Sequence, residues 1–317
     1  MPSKLDQLKQ WTVVTADTGD IGAIAQYKPQ DCTTNPSLIL KAAGMEAHQS
    51  LVEEAVLWGV SHSAATSRIA QRLSVNFGAE LTKLVPGRVS TEVDADLSFD
   101  TEGTVNQARE IIADYHQRGV GRERVLIKVA ATWEGIKAAS ILQKEAIDCN
   151  LTLIFSLAQA AAAFEARAYL ISPFVGRILD WYVKNEGKTY TGATDPGVLS
   201  VKEIYAYARA TDAKTIVMGA SFRNQEEIEA LAGCDSLTIA PALLDQLAKD
   251  EGALARALEP NDKLRAPAQM FLDEKSFRFM LNEDAMATEK LAEGIRVFAR
   301  DLRALRELVS ARLAMAA

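Results

Sequence analysis

RVLIKVAATWEGIKAASILQKEAIDCNLTLIFS, residues 124–156, contains two short apolar runs on either side of one helical pattern. The runs at 124–132 and 149–156 have the length and composition of β-strands, and 133–145 has the apolar spacing of an α-helix. A strand, a helix and a second strand in this order predict two parallel strands that are joined by a crossover helix.

The same alternation extends over most of the chain. Candidate strands lie at 11–17, 31–35, 88–94, 124–132, 149–156, 168–174, 215–221 and 236–241. Helical patterns lie between them, among them at 101–118, 133–145, 158–166, 200–210 and 224–231, and the gap 36–85 has room for two helices. Eight such units favour a closed (β/α)8 TIM barrel over an open doubly wound sheet, which stays an alternative. We therefore predict a single α/β domain over residues 1–317.

An apolar stripe marks the C-terminal segment. Its residues, which recur at alternating spacings of four and three, are Leu291, Ile295, Phe298, Leu302, Leu305 and Val309. The stripe predicts an amphipathic helix, and because it covers fewer than three heptads we favour docking on the barrel over a coiled-coil dimer. The stretch 184–197 is predicted to be a surface loop, and 259–276 is also irregular.

Composition narrows the functional classes. Lys and Arg total 35 against 42 Asp and Glu, so the net charge is −7, which argues against nucleic acid as the main partner. The cysteines, Cys32, Cys149 and Cys234, are far apart and form no CxxC pair, so we expect neither a disulfide framework nor a zinc site. Without a signal-peptide core or an apolar run long enough to cross a bilayer, a cytoplasmic protein with no membrane partner is expected.

Lys128 stands in the middle of the apolar run VLIKVAA, where a lysine is unusual. It shares a face of its strand with Leu126 and Ala130, so it points either into the barrel lumen or towards the helix layer. An unpaired ammonium group is costly in either place unless its pKa falls, and attack on a carbonyl carbon requires a partly neutral amine. The alternative is a lysine near the strand end whose amine reaches solvent.

Polar side chains also occur near the ends of other predicted strands. They are Asp17, Thr33, Asn35, Glu92, Asp94, Asn150, Thr152, Ser172 followed by Arg177, and Ser221 with Arg223. In a closed barrel such groups converge at the C-terminal strand ends, where the active sites of barrel enzymes form. Each group alone has an ordinary alternative, such as a helix cap at Asp17 or a turn at Asn35. Together with Lys128, they place polar groups on seven strands, and this repetition favours a polar site at the barrel mouth.

The residue types indicate a chemistry. Lys128 is an amine nucleophile, and Asp17 and Glu92 are potential proton carriers. The amides and hydroxyls suit a polyhydroxylated substrate. Arg177 and Arg223 suit a phosphate group, although either arginine alone would be interpreted as part of a surface ion pair.

Other motif-like stretches are excluded. Asp17-Thr18-Gly19 lacks the second copy and the all-β setting of aspartic proteases. GVGRER at 119–124 lacks the third glycine of a dinucleotide loop, and 94–102 lacks the glycine of a calcium loop. No P-loop or HExxH occurs, so lysine and carboxylates must perform any acid–base step, and we expect no metal.

At these residues the sequence resembles transaldolases of the long type. The resembling segments are TVVTADTGD (12–20), QDCTTNPSLIL (30–40), LVPGRVSTEVDADLSFDTE (84–102), RVLIKVAATWEGI (124–136), CNLTLIFSLAQA (149–160), LISPFVGRILDWY (170–182), DPGV (195–198), VMGASFRN (217–224) and CDSLTIAPALL (234–244). They span nearly the whole chain, whereas 41–80, 184–194 and 259–280 contain no motif of the family. Leu157 and Ala131 depart from the residues common in the family, at positions without a catalytic role.

The resemblance implies a role for each matching residue. Lys128 matches the lysine that forms the Schiff base, and Asp17 matches the acid–base residue at the C4 hydroxyl of the sugar. Glu92 and Thr152 match the pair that holds the water of imine formation and hydrolysis. The substrate-binding positions are matched by Thr33, Asn35, Asn150, Ser172, Phe174, Arg177, Ser221 and Arg223, of which Phe174 shields the site and the last three hold the phosphate.

The resemblance implies a homodimeric, cofactor-free enzyme that acts on sugar phosphates in the non-oxidative pentose phosphate pathway. It would transfer a dihydroxyacetone unit from sedoheptulose 7-phosphate to glyceraldehyde 3-phosphate. Two alternatives are a related Schiff-base fructose 6-phosphate aldolase and a non-catalytic sugar-phosphate-binding barrel. Phe174 and Glu92 favour the transferase over the aldolase, and the presence of Lys128, Asp17 and Glu92 argues against the binding protein.

Overall fold

The computed structural model describes residues 2–260 and 266–316, and within them eight parallel strands form a closed barrel. The strands are β1 Val13–Asp17, β2 Asp31–Thr33, β3 Val89–Glu92, β4 Val125–Ala130, β5 Cys149–Ile154, β6 Leu170–Pro173, β7 Ile216–Gly219 and β8 Ser236–Ile239. Each strand pairs with the next in the chain, and β1 pairs with β8 to close the ring. The TIM barrel is therefore confirmed, and the alternative of an open sheet is wrong.

Helices surround the barrel and extend beyond it. They are α1 Lys4–Leu8, α2 Ile21–Tyr27, α3 Pro36–Ala43, α4 Gln49–Ser61, α5 Thr66–Thr82, α6 Thr101–Gln117, α7 Trp133–Lys144, α8 Leu157–Glu165, α9 Gly176–Glu186, α10 Pro196–Ala210, α11 Gln225–Glu229, α12 Pro241–Lys249, α13 Glu274–Glu283 and α14 Ala285–Ala316. Among the described residues, no helix has the length and apolar character needed to span a membrane.

Three helix predictions need correction. The segment between β2 and β3, residues 36–85, contains three α-helices rather than the two predicted. The additional helix is possible because α3 is only eight residues long, which leaves enough residues for α4 and α5. The predicted loop 184–197 is shorter than expected, since α9 continues to Glu186 and α10 begins at Pro196. In the irregular stretch 259–276, α13 already begins at Glu274, and residues 261–265 lie outside the described residues.

Polar residues at the strand ends begin the next helix. Thr132 Oγ1 accepts a hydrogen bond from the backbone N–H of Gly135, at 2.9 Å, and caps α7. Asn35 Oδ1 accepts one from the N–H of Leu38, at 2.9 Å, and caps α3, with Pro36 at the first helical position. These caps satisfy backbone donors that a helix start leaves free, so they fix where the chain turns at the barrel mouth.

The barrel lumen is divided into an apolar and a polar layer. Leu126, Leu170 and Met218 form a buried cluster near the N-terminal strand ends. Two residues further along β4 and β6 stand Lys128 and Ser172, which share the same faces because strand side chains alternate. The apolar layer closes the bottom of the lumen, so the polar groups are open only towards the C-terminal end.

The C-terminal helix α14 docks across this open end, as the apolar stripe predicts. Ile295 and Phe298 pack with Phe155 and Phe174 from the barrel loops. Further along, Arg306 donates hydrogen bonds to Asp94 at 2.6 Å and to Asp96 at 2.8 Å. The prediction that Asp94 joins the polar lumen is therefore wrong, because it lies beyond the end of β3 and pairs with α14.

Gly78 allows α5 to pack against β3, and its replacement tests this contact. A Cβ atom there would lie 1.6 Å from Tyr115 Oη, which hydrogen-bonds Thr91 of β3. We expect Gly78→Ala to lower the free energy of unfolding by about 1–3 kcal/mol, because the added methyl group overpacks this contact. Overpacking should outweigh the higher helix propensity of alanine, which alone would stabilise the helix by about 1 kcal/mol.

Urea unfolding of Gly78→Ala, Tyr115→Phe and the double variant measures this effect. Removal of the Tyr115 hydroxyl makes room for the added methyl, so the double variant should be more stable than the sum of the single effects indicates. Strictly additive losses, or an unchanged Gly78→Ala midpoint, would contradict the packing explanation.

Candidate active site

Lys128 points into the lumen and does not reach bulk solvent, since it is only 4% exposed. Its backbone lies between Glu92 of β3 and Asn150 of β5 in the strand register. The Nζ atom lies 3.5 Å from Glu92 Oε2 and donates a hydrogen bond to the carbonyl oxygen of Thr34 at 3.2 Å. The alternative of a lysine that reaches solvent is therefore wrong.

Two carboxyl groups lie near this amine. Asp17 ends β1, and its Oδ1 accepts a hydrogen bond from Thr33 Oγ1 at 2.8 Å. Burial raises the pKa of Asp17 above its ordinary value, against the opposing charges of Lys128 and Arg177. Burial likewise raises the pKa of Glu92 to about 7, against the same two cations. A carboxyl with this pKa exchanges protons readily at neutral pH.

Two buried oxygens near the amine have unused hydrogen-bonding capacity. Apart from the 3.5 Å ion-pair contact of Glu92 Oε2 with Lys128 Nζ, Glu92 Oε2 and Thr152 Oγ1 have no hydrogen-bond partner among the described residues. Native proteins rarely bury such oxygens without a polar partner, so these two atoms indicate a place where a small polar molecule binds.

Amides and hydroxyls form a connected network in the lumen. Asn150 Nδ2 donates to Ser90 Oγ at 3.1 Å, and Asn150 Oδ1 accepts from Ser172 Oγ at 2.7 Å. On the other side, Thr33 and Thr238 share a hydrogen bond of 2.6 Å between their hydroxyls. The network fixes the side-chain rotamers and presents several donors and acceptors at defined positions.

Arg177 supplies a cation in the first turn of α9. Its guanidinium lies over the rings of Phe174 and Phe298, at 5.0 and 5.5 Å from their centroids. Burial and the charge of Arg223 lower the pKa of Arg177 below its ordinary value. In the described part of the chain no carboxylate forms an ion pair with it, so its charge is available to an anion.

Arg223 and Ser221 approach Arg177 from the loop after β7. Arg223 Nη1 lies 3.3 Å from Ser221 Oγ, and its guanidinium also forms an ion pair with Asp180 of α9, at 2.7 Å. The backbone of Ser221 adopts a left-handed conformation with φ of 63°, which is costly for a residue with a side chain. Two guanidinium groups and a hydroxyl therefore meet at the rim of the site, an arrangement that suits a phosphate.

The structure brings the predicted site residues together around a small cavity of about 60 Å³. The cavity is lined by Asp17, Thr33, Asn35, Lys128, Thr152, Ser172, Phe174, Arg177, Ala220, Ser221, Thr238 and Phe298. The remaining three predicted residues each contact a residue that lines the cavity. Glu92 contacts Lys128, Asn150 hydrogen-bonds with Ser172, and Arg223 hydrogen-bonds with Ser221.

Three lining residues, Ala220, Thr238 and Phe298, were not predicted as site residues from the sequence. Thr238 shares a face of β8 with Ser236, so the period of two could have identified it. Phe298 belongs to the apolar stripe of α14, where nothing distinguishes a residue that lines the site from one that only packs. Phe298 could therefore not be identified without knowing how α14 crosses the barrel.

A larger cleft of about 820 Å³ lies at the opposite, N-terminal end of the barrel. Its arginines already have partners, since Arg88 pairs with Asp148 and Arg209 pairs with Asp235. The small cavity at the C-terminal end holds the buried amine and the carboxyls with raised pKa, so we take it as the candidate active site.

A distortion of β5 lies next to Thr152. Leu153 has a left-handed φ of 57°, and the register between β5 and β6 shifts between Leu151 and Ile154. Gln159 stabilises this backbone, because its Nε2 donates to the carbonyl of Leu153 at 3.0 Å and its Oε1 accepts the N–H of Phe155 at 2.9 Å. The bulge orients the groups at the end of β5.

The raised pKa of Glu92 predicts a pH-dependent stability. Because the folded protein binds this proton more tightly than the unfolded chain, stability decreases as pH rises from the ordinary value of 4.5 to about 7. The glutamine of Glu92→Gln does not titrate, so the variant does not lose this stability. Its free energy of unfolding, relative to that of the parent, should therefore increase by on the order of 2 kcal/mol between pH 5 and pH 8.

Thermal unfolding of both proteins at pH 5, 6, 7 and 8 measures this difference. Glu53→Gln, at an exposed position of α4, is the matched control and should follow the parent. Parallel curves for the parent and Glu92→Gln would show that the carboxyl is not held in its protonated form.

The family model described as "Transaldolase/Fructose-6-phosphate aldolase" matches residues 14–309. A protein named "Transaldolase" from Rhizobium etli (strain CIAT 652) is 63% identical over 321 residues, which cover 100% of both chains. A protein of the same name from Agrobacterium fabrum (strain C58) is 62% identical over 100% of both chains. Another, from Marinomonas sp. (strain MWYL1), is 56% identical over 99% of this chain and 100% of the relative. The chain belongs to the transaldolase/fructose-6-phosphate aldolase family.

Proposed function

We propose that this protein is a transaldolase that forms a Schiff base on Lys128. It transfers a dihydroxyacetone unit from sedoheptulose 7-phosphate to glyceraldehyde 3-phosphate and yields erythrose 4-phosphate and fructose 6-phosphate in the non-oxidative pentose phosphate pathway. The observation on which the proposal depends is the buried amine of Lys128, 3.5 Å from the carboxyl of Glu92 at the closed end of a polar cavity.

Imine formation begins when the neutral amine of Lys128 attacks the C2 carbonyl of the ketose phosphate. The carbinolamine then loses water, and the leaving hydroxyl must receive a proton. We propose that Glu92 supplies it, and the pKa of about 7 supports this role because both protonation states are then populated at neutral pH. Glu92 Oε2 and Thr152 Oγ1 form no hydrogen bond among the described residues, and this supports the proposal that these residues hold this water.

Cleavage of the carbon chain requires a base at the C4 hydroxyl. Asp17 takes that proton, the C3–C4 bond breaks, and its electrons pass into the iminium group to give an enamine on Lys128. The aldose phosphate leaves with the new carbonyl group. The raised pKa of Asp17 makes it a stronger base than an exposed aspartate, and its bond to Thr33 fixes its orientation.

Transfer requires that the enamine meet an acceptor aldehyde before it is hydrolysed. Phe174 and Phe298 cover the cavity, and α14 lies over the barrel mouth, so water has restricted access to the reacting carbons. The acceptor's phosphate binds at Arg177, Ser221 and Arg223, and its carbonyl accepts the enamine carbon while Asp17 returns the proton. The same steps in reverse release the product.

The other substrate contacts follow from the network in the lumen. We propose that Asn35 and Asn150 bind hydroxyl groups of the sugar, together with Thr33 and Ser172. These side chains line the cavity or hydrogen-bond to a residue that does. Their positions are fixed by the caps and hydrogen bonds described above, which lowers the cost of ordering them around the substrate.

We further propose that the chain acts in the cytoplasm as a homodimer and that residues 1–317 form one domain. The family resemblance supports the dimer, and the unpaired, widely spaced cysteines support a reducing compartment. A single unfolding transition in calorimetry and a dimer mass in sedimentation equilibrium are the expected results.

Covalent trapping tests the role of Lys128. Reduction with borohydride in the presence of fructose 6-phosphate should attach the three-carbon unit to Lys128 alone, as mapped by peptide mass spectrometry. Lys128→Met should abolish the adduct and lower turnover by about three orders of magnitude or more, because no other nucleophile replaces the amine.

The control variant is Lys137→Met, which removes an exposed lysine of α7 and should leave both trapping and turnover intact. An adduct on another residue, or normal turnover in Lys128→Met, would refute the mechanism. Product analysis separates transferase from aldolase, since the transferase gives sedoheptulose 7-phosphate from fructose 6-phosphate and erythrose 4-phosphate with little free dihydroxyacetone.

A further inference from the structure

Glu227 of α11 is a fully buried carboxyl group outside the cavity, at 0% exposure. Its Oε2 accepts a hydrogen bond from the backbone N–H of Arg223 at 2.6 Å. Its own backbone N–H donates to Asn224 Oδ1 at 2.9 Å, which begins α11. Glu227 therefore stabilises the turn between Arg223 and α11 with its side chain, which binds the N–H of Arg223, and with its backbone, which binds Asn224.

Glu227 meets a second buried carboxyl group, that of Asp195. Asp195 is 2% exposed and begins α10, where its Oδ1 accepts the N–H groups of Gly197 and Val198 at 2.7 and 3.2 Å. Glu227 Oε1 has no N–H or O–H donor among the described residues, and the two carboxyl groups interact directly. Arg223 also acts on Glu227, and its positive charge opposes the effect of Asp195.

These two residues join three segments at the rim of the site. The N–H of Gly176, next to Arg177, donates to the carbonyl of Ser221 at 2.9 Å. The first turn of α10 is in contact with the same region, since a Cβ atom on Gly197 would lie 2.2 Å from the carbonyl oxygen of Val175. The loop after β6, the loop after β7 and the start of α10 are therefore one packed unit.

We propose that Glu227 and Asp195 share one proton and act as a positioning pair that fixes loop 220–224 for binding of the substrate's phosphate group. The inference rests on the proposed function only in naming a sugar phosphate as the ligand. Neither residue touches the substrate, since both act through the backbone of the loop that presents Ser221 and Arg223.

The shared proton is what lets two buried carboxyl groups face each other. Burial and the negative charge of Asp195 raise the pKa of Glu227 to about 7. Burial also raises the pKa of Asp195, but the backbone N–H groups of Gly197 and Val198 oppose this effect and favour its charged form. In the protonated state, Glu227 donates its O–H to Asp195 and accepts the N–H of Arg223 with its other oxygen. When Glu227 loses the proton, two adjacent buried negative charges repel each other.

This arrangement predicts that phosphate affinity weakens as pH rises through about 7, because the loop loses its support. Glu227→Gln is the informative variant. Its amide can donate to Asp195 and accept from Arg223 without titrating, so it mimics the protonated carboxyl. Glu227→Ala removes both bonds and leaves Asp195 facing a cavity.

The experiment measures the dissociation constant of inorganic phosphate and the KM for fructose 6-phosphate from pH 6 to 8.5, in the full-length parent and both variants. Glu227→Gln should keep the parent's values at pH 6 within about twofold and hold them at pH 8.5, where the parent weakens. Glu227→Ala should raise both constants about tenfold or more at every pH. kcat at saturating substrate should change much less than KM.

Borohydride trapping with unphosphorylated dihydroxyacetone distinguishes this inference from the proposed function. It should label Lys128 equally in all three proteins, because it does not use the phosphate loop, and it also reports that each variant is folded. Loss of trapping in the parent would refute the Schiff-base function while leaving the phosphate measurement valid. If Glu227→Ala does not fold, Glu227→Gln decides alone: a pH dependence equal to the parent's overturns the proposal.

Discussion

The desolvation of one amine inside the barrel is the constraint on which the rest of the site depends. Lys128 is 4% exposed, and a charged ammonium in such a place is stable only with compensating groups. Glu92 and the carbonyl of Thr34 are the groups within reach. The apolar layer below keeps water away from the closed end, so the amine interacts with the cavity and not with solvent. Burial thus creates the electrostatic cost that these groups offset.

Elements outside the barrel complete the site that the strands begin. α14 contributes Phe298, and its Gly294 lies against Leu153, the residue with the strained backbone in β5. The strain is tolerated because Gln159 holds the adjacent backbone groups. The contact of α14 with the bulge in β5 fixes the position of the helix along that strand. This explains how a helix far along the chain can place the ring of Phe298 in the cavity wall.

The barrel and most of the residues that line the cavity could be predicted from the sequence, and the reason is physical. Each strand has a period of two, so a polar group within an apolar run, such as Lys128 or Asn150, is visible without any tertiary information. Residues whose role depends on contact between distant segments are not visible in this way. Asp94 had the same spacing as a lumen residue but lies past the strand end, where Arg306 binds it. The role of Asp180 likewise depends on the position of Arg223 across a loop.

The two ends of the cavity are coupled through Arg177. Its charge lowers the pKa of both Asp17 and Glu92, against the effect of burial, and the same guanidinium faces the rim that we propose as the phosphate site. A bound phosphate neutralises much of that charge, so the opposing effect on the two carboxyl groups decreases and their pKa values rise. A carboxylate with a higher pKa is a stronger base. In the proposed mechanism, occupation of the phosphate site therefore increases the basicity of Asp17 when a substrate hydroxyl is within its reach, and a site without phosphate lacks this activation.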